Sequence, residues 1–174
     1  MAIDIIHLTE QAKAGDRDAF GQLYGVYARD MYRYALYVLG SESLAQDAVQ
    51  DTALSAYRDI RSLRDPARLK SWLFRILANR CKRLLRGKYA AAGVESLEEQ
   101  FHEAAALDAP LGVALELRQA LAALPQAERD ILCLSVLEGY DSREIGQTLG
   151  IPAGTVRSKQ ARALAKLRKE ISPS

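Results

Sequence analysis

The stretch DSREIGQTLGIPAGTVRSKQARALAKLRK, from Asp141 to Lys169, decides how this chain is read. A short helix is predicted over Ser142 to Leu149, with Ile145 and Leu149 spaced to face a core and Gly150 supplying the left-handed residue that ends it. Pro152 bars continuation. A second helix begins near Ala153 to Thr155 and sets Val156, Ala163 and Leu167 on one side. Ser158, Ala161 and Arg162 face the other way, with Arg157 and Lys159 on the shoulders. The pattern is a helix-turn-helix. Short side chains flanked by arginine and lysine suit close approach to base edges in a DNA major groove, with phosphate anchoring beside them. The Gly150-Ile151-Pro152 turn argues against a merely solvated amphipathic helix.

Outward from this motif, nearly every periodic segment has helical spacing, and no run sustains two-residue alternation. The expected fold class is therefore all-α. Helices are predicted over Ile3 to Ala14, Asp16 to Leu39, Ser41 to about Ile60, and from Ala67 through Trp72 to about Arg86, the last opened by the Asp65-Pro66 start signal. These make a first domain, residues 1–88. Residues 89–110 carry Glu95, Glu98, Glu99, Glu103 and Asp108 with no Lys or Arg, and read as an acidic mobile linker with transient helix. A second domain, residues 111–174, holds helices over Val113 to Leu124 and Ala127 to Leu137 before the helix-turn-helix.

The formal net charge of +2 hides a separation of sign. Arg61 to Lys88 holds ten Lys/Arg against Asp65 alone, and Arg143 to Glu170 holds seven against Glu144 and Glu170. Two basic modules on an acidic tether suit a polyanion gripped at two places, and nucleic acid is the default candidate. The N-terminus has no basic segment followed by a long apolar run, so neither signal peptide nor membrane span is expected, and the cytoplasm is the expected location. Cys81, Cys133, His7 and His102 are isolated, so no metal or cofactor is expected. No G-x-S-x-G, H-E-x-x-H or Gly-rich phosphate loop is present, which argues against an enzyme and its small-molecule substrate.

Two faces of the first domain carry further chemistry. Along Ser41 to Ile60, Ala45, Val49, Thr52, Ala53, Ala56 and Ile60 share a core face, while Asp47, Gln50, Asp51 and Leu54 point outward. A leucine ringed by carboxylates and an amide suits docking of a basic helix pair. In the next helix Leu69, Leu73, Ile76, Leu77 and Leu84 face the core. Arg68, Arg75, Asn79, Lys82 and Arg86 line the opposite side, and Trp72 stands at its edge with a core role. Aligned cations without acidic counterparts favour a polyanion, and the loop with Arg61, Ser62 and Arg64 is large enough to hold an unstacked base.

DAFGQLYGVYARDMYRYA at Asp18 to Ala35, AQDAVQDTALSAY at Ala45 to Tyr57 and KSWLFRILANRCKRLLR at Lys70 to Arg86 resemble region 2 of a bacterial sigma factor. Leu117 to Lys169, with LPQAERDILCL ahead of the helix-turn-helix, resembles region 4, and the order and short linker resemble the extracytoplasmic-function (ECF) class. The resemblance implies a non-catalytic transcription initiation factor with core RNA polymerase and promoter DNA, duplex and single-stranded, as partners. Asp47, Gln50, Asp51 and Leu54 would dock on the polymerase clamp coiled coil. Arg61, Ser62, Arg64, Arg68, Arg75, Asn79, Lys82 and Arg86 would hold the melted −10 element. Thr155, Arg157, Ser158, Lys159, Ala161 and Arg162 would read the −35 element, with neighbouring helices on the polymerase flap. An anti-sigma factor is the implied controller, and could hold the protein near the membrane without the chain itself inserting. The rival readings are a stand-alone helix-turn-helix regulator, which has no need of a basic stripe in the first domain, and a sigma mimic that never touches DNA. Three positions depart from the family pattern: Ala53 replaces a bulky aromatic, Pro152 a capping Ser or Thr, and Gln160 an apolar core residue. A buried Gln160 amide needs a backbone partner, or else a slight rotation of the helix brings it to DNA.

Overall fold

The computed structural model describes residues 2–92 and 111–171, with side chains described outside 88–92 and 111–114. Among the described residues the chain is all-helical: α1 Ile5–Lys13, α2 Arg17–Leu39, α3 Glu42–Asp59, α4 Leu69–Ala92, α5 Leu111–Ala122, α6 Gln126–Glu138, α7 Ser142–Leu149 and α8 Ala153–Ile171. Single 3-10 turns at Ile60–Ser62 and Pro66–Arg68 link α3 to α4. No described helix is long and apolar enough to cross a membrane.

Local chemistry sets most of these boundaries. Asp16 caps α2 by accepting from the Asp18 and Ala19 amides, and Ser41 caps α3 through the Leu44 amide. Asp141 and Glu144 form a reciprocal capping box at the start of α7, each backbone-to-carboxylate bond 2.8 Å long. Gly150 ends α7 at φ +71°, a conformation that penalises any side chain with a Cβ. The Ala67 to Arg86 prediction needs correction at both ends: Pro66–Arg68 is a 3-10 turn, and α4 runs on to Ala92, so the proposed linker begins in helix. The remaining linker residues, His102 among them, lie outside the described residues.

α1 to α4 form one lobe and α5 to α8 a second. The core face predicted for α3 is buried at Ala45, Val49, Thr52, Ala56 and Ile60, whereas Ala53 is half-buried. Lacking bulk there, the chain leaves a small apolar cavity lined by Ala53, Phe20, Leu23, Tyr24, Met31, Leu69 and Leu73. α4 buries Leu69, Leu73 and Leu77 as expected, but also Phe74, Ala78, Cys81 and Leu85, while Ile76 and Leu84 are only partly covered.

Part of that second buried stripe on α4 lies where the lobes pack together. A single apolar cluster joins Met31, Tyr34, Phe74 and Cys81 of the first lobe to Ile131, Cys133, Leu134 and Ile145 of the second. Phe74 stands edge-on to Tyr34 and Tyr140, with centroids 5.7 and 6.1 Å away. Cys81 and Cys133 are buried free thiols within it. A smaller cluster of Leu121, Leu124, Leu132 and Ala163 belongs to the second lobe.

Candidate nucleic-acid interface

The basic face of the first lobe is built by α4 and the turn before it. Arg68, Arg75, Asn79, Lys82 and Arg86 are all exposed, as are Arg61, Ser62 and Arg64. The turn is held by its own short bonds: Lys13 donates to the Leu63 carbonyl, the Ser62 hydroxyl to the Asp59 carbonyl, and the Asp65 carboxylate accepts from the Ala67 amide. Arg64, Arg68, Arg75 and Trp72 line an open cleft of about 460 Å³ whose far wall is Gln147 and Thr148 of α7. Trp72 is thus half-buried against the core and faces this cleft with one edge.

On the second lobe, α7 and α8 cross around a turn that needs glycine at one point. The Ile151 amide donates to the Gly146 carbonyl at 3.0 Å, and a Cβ on Gly146 would lie 2.6 Å from the Ile151 carbonyl oxygen. Val156 and Ala163 are buried and Leu167 is half-covered, so α8 is oriented as predicted. Arg157, Ser158, Ala161 and Arg162 are exposed; Thr155 and Lys159 are half-buried. The Ser158 hydroxyl donates to the Thr155 carbonyl. With Pro152 at the start of α8, the Val156 amide reaches the Pro152 carbonyl at 3.1 Å. Gln160 takes neither predicted role: its Nε2 donates to the Ser135 hydroxyl of α6 at 2.9 Å.

The candidate docking ridge on α3 has Asp47, Gln50 and Leu54 exposed, Leu54 to 64%. Asp51 is not free as the sequence suggested; it is half-buried in an ion pair with Arg80 that ties α3 to α4. The ridge, the basic cleft and α8 therefore present three distinct surfaces, and no group of His, Cys, Asp and Glu among the described residues has metal-binding proximity.

Sequence reasoning missed one residue that organises the second lobe. Arg129 is 2% exposed and donates to the Leu121, Ala122 and Leu124 carbonyls at the end of α5, and to Val38 on α2 at 2.8 Å. Beside it the Asp130 carboxyl accepts from the Tyr34 hydroxyl at 3.4 Å. Burial pushes Asp130 up to about 7, with Arg129, the Tyr34 bond and Lys82 pulling it back. The signal available in sequence was only a charged pair inside an apolar run, which helical periodicity assigns to neither face.

The Sigma-70 region 2 family matches residues 23–90, and the Sigma-70 region 4 family matches residues 120–169. The chain is 36% identical over 154 residues to the ECF RNA polymerase sigma factor SigM of Mycobacterium tuberculosis, covering 88% of this chain and 78% of the relative. It is an ECF sigma factor. As such it serves transcription initiation through promoter recognition by regions 2 and 4, and is a non-catalytic subunit of RNA polymerase. This sigma factor superposes on CnrH, solved in complex with the cytosolic domain of CnrY, with TM-score 0.74, 27% identity and 95% of each chain covered. The fold also matches the sigma factor RpoE of Bartonella quintana, solved with the anti-sigma factor NepR, at TM-score 0.75 and 23% identity over 87% of this chain and 96% of that one.

Proposed function

We propose that this sigma factor docks on the clamp coiled coil of core RNA polymerase through Asp47, Gln50 and Leu54, with Asp51 engaging once released from Arg80. Its basic cleft then holds the melted −10 strand, and α8 reads the −35 duplex. The exposed Leu54 among acidic and amide groups carries the docking assignment, since an apolar side chain left outward in a polar ring is an anchor awaiting a partner. In the cleft, Arg64 and Arg75 supply phosphate contacts and Trp72 a stacking face for an unpaired base. Arg157 and Arg162 flank Ser158 and Ala161, where base edges come closest. The neighbouring helices of region 4 meet the polymerase flap.

An anti-sigma factor is the controlling partner, as in the complex of the Bartonella quintana protein. An apolar groove with walls from both lobes, Tyr37 on α2 and Leu121, Val136 and Leu164 on region 4, gives it a seat, and Val136 is 73% exposed there. The cytoplasm is the place of action, since polymerase and promoter are there.

Asp47→Lys tests the docking ridge. The side chain is exposed, so the thermal melt stays that of the wild type, while capture of core polymerase weakens at least about tenfold. Undiminished holoenzyme assembly removes the ridge from the reading. In vitro transcription on a random promoter library, with and without the chain, returns both DNA elements at once.

A further inference from the structure

We propose that Lys13 of α1 is a positioning residue for −10 recognition: its ammonium holds the backbone of the turn between α3 and α4, so that Arg61, Ser62 and Arg64 meet the melted strand already in place. This rests on the assignment of that turn to the −10 element. α1 precedes the segment matched to region 2, yet its end touches the turn at two points. The Lys13 Nζ donates to the Leu63 carbonyl at 2.5 Å, a bond that joins residues 50 positions apart. Gly15, just past α1 at φ +104°, lies against the Arg61 side chain, and a Cβ at Gly15 would stand 3.6 Å from Arg61 Nη2.

A lysine in the last turn of a helix ordinarily serves the carbonyls of its own C-terminus or stays in water. Lys13 occupies that last turn, but it is half-buried and turned to a separate element. Among the described residues no carboxylate pairs with it, so the Leu63 carbonyl is what orders the ammonium.

The turn needs such a tie. Leu63 is extended backbone between the 3-10 turns Ile60–Ser62 and Pro66–Arg68, a short run without a hydrogen-bonded ladder to fix its course. Its two ends are held locally: the Ser62 hydroxyl donates to the Asp59 carbonyl, and the Asp65 carboxylate caps Ala67. Ile60 and Leu63 bury their side chains below. Between these anchors the peptide joining Leu63 to Arg64 is a rigid plane, and fixing its carbonyl sets the direction in which Arg64 leaves for the cleft it shares with Trp72 and Arg75. Gly15 steadies Arg61 on the other side. A turn ordered beforehand does not have to be ordered on binding, and a base contact made from a fixed backbone discriminates where a loose one accommodates. Lys13 thus acts through the turn and not on the strand.

The test uses the full chain with core polymerase. Lys13→Met removes the ammonium, Lys13→Arg restores a donor, and Ser62→Ala and Arg64→Ala change the turn directly. Initiation from a library randomised at both promoter elements, at two salt concentrations, gives the base preference at each position. Lys13→Met is expected to lower discrimination at the −10 positions by about fivefold, the low end of what one good base contact contributes. Preference at −35 and capture of polymerase stay those of the wild type, and Lys13→Arg recovers most of the −10 preference; failure of that rescue overturns the proposal. A lysine gripping phosphate would instead show a uniform loss across sequences and a shallower salt dependence. One that only steadied the fold would lower the melting midpoint and weaken all promoters alike. Either result overturns the proposal, as does Lys13→Met with wild-type preference. Should Lys13→Met fail to fold, Lys13→Gln decides, since its neutral amide is one bond shorter, and wild-type −10 preference there overturns it. Unchanged −10 preference in both Ser62→Ala and Arg64→Ala sinks the assignment of the turn and the inference with it, whereas altered preference in those two beside an indifferent Lys13→Met sinks only the inference.

Discussion

Gly146 and Arg129 show how single residues fix the geometry of region 4. Gly146→Ala drives a methyl to within 2.6 Å of a backbone carbonyl that belongs to the turn itself, so no flexible side chain can yield. Loss of about 1–3 kcal/mol is expected in a denaturant melt, the usual scale of overpacking; an unchanged midpoint would show that the turn can relax. Arg129→Ala removes the donors from four backbone carbonyls at once. Each buried acceptor left bare costs about 1–3 kcal/mol, so a loss of roughly 3 kcal/mol or more is expected, visible as early melting of region 4. Gln160 illustrates the opposite case. An amide at a core position looked costly in sequence, and Ser135 one helix away satisfies it.

At the scale of elements, α8 separates a buried face from an exposed one. Val156 and Ala163 bury one side while Arg157, Ser158, Ala161 and Arg162 stay exposed on the other, so under the proposed reading substitution on the exposed side is expected to act on DNA rather than on folding. Arg162→Ala is expected to cost about 1–3 kcal/mol in duplex binding and to relax preference at one −35 position, if the guanidinium reads a base pair. A uniform loss over all sequences would make it a phosphate contact. α4 is divided three ways. Its exposed cationic stripe and its Leu69, Leu73, Leu77 face were legible from helical spacing, but Phe74, Ala78, Cys81 and Leu85 were not; Phe74, for one, packs against Tyr140 of the other lobe, a contact that spacing does not contain. Likewise the ion pair of Asp51 with Arg80 joins two helices whose relative rotation the spacing does not contain.

For the whole molecule, the packing between the lobes carries a buried titratable group. Asp130 is faced by Tyr34 on α2, Cys81 and Lys82 on α4, and Arg129 and Cys133 on its own helix, and burial raises it to about 7. Unfolded, the carboxyl returns to about 3.9. A raised carboxyl favours the folded form most fully below about 4, and that contribution falls as pH rises to about 7, by at most about 1.4 kcal/mol per pH unit for one proton. Thermal melting between those limits should therefore show the fold weakening as pH rises, and Asp130→Asn should abolish that slope. A slope that survives the substitution assigns it to another group.

The helix-turn-helix, the outward ridge of α3 and the basic stripe of α4 were all fixed by short-range periodicity, capping and turn residues, which act within about one or two turns of chain and so are written in the order of residues. The all-helical fold followed from the same local patterns, and the family from the resemblance of whole segments such as Lys70 to Arg86 and Leu117 to Lys169 to sigma regions 2 and 4. What only the tertiary structure decided was how the two lobes meet: Phe74 between Tyr34 and Tyr140, Arg129 reaching Val38, and Asp130 shut away from water. Those contacts join residues 40 to 96 positions apart, and their energy depends on which faces come together in space, a quantity that spacing along the chain does not carry.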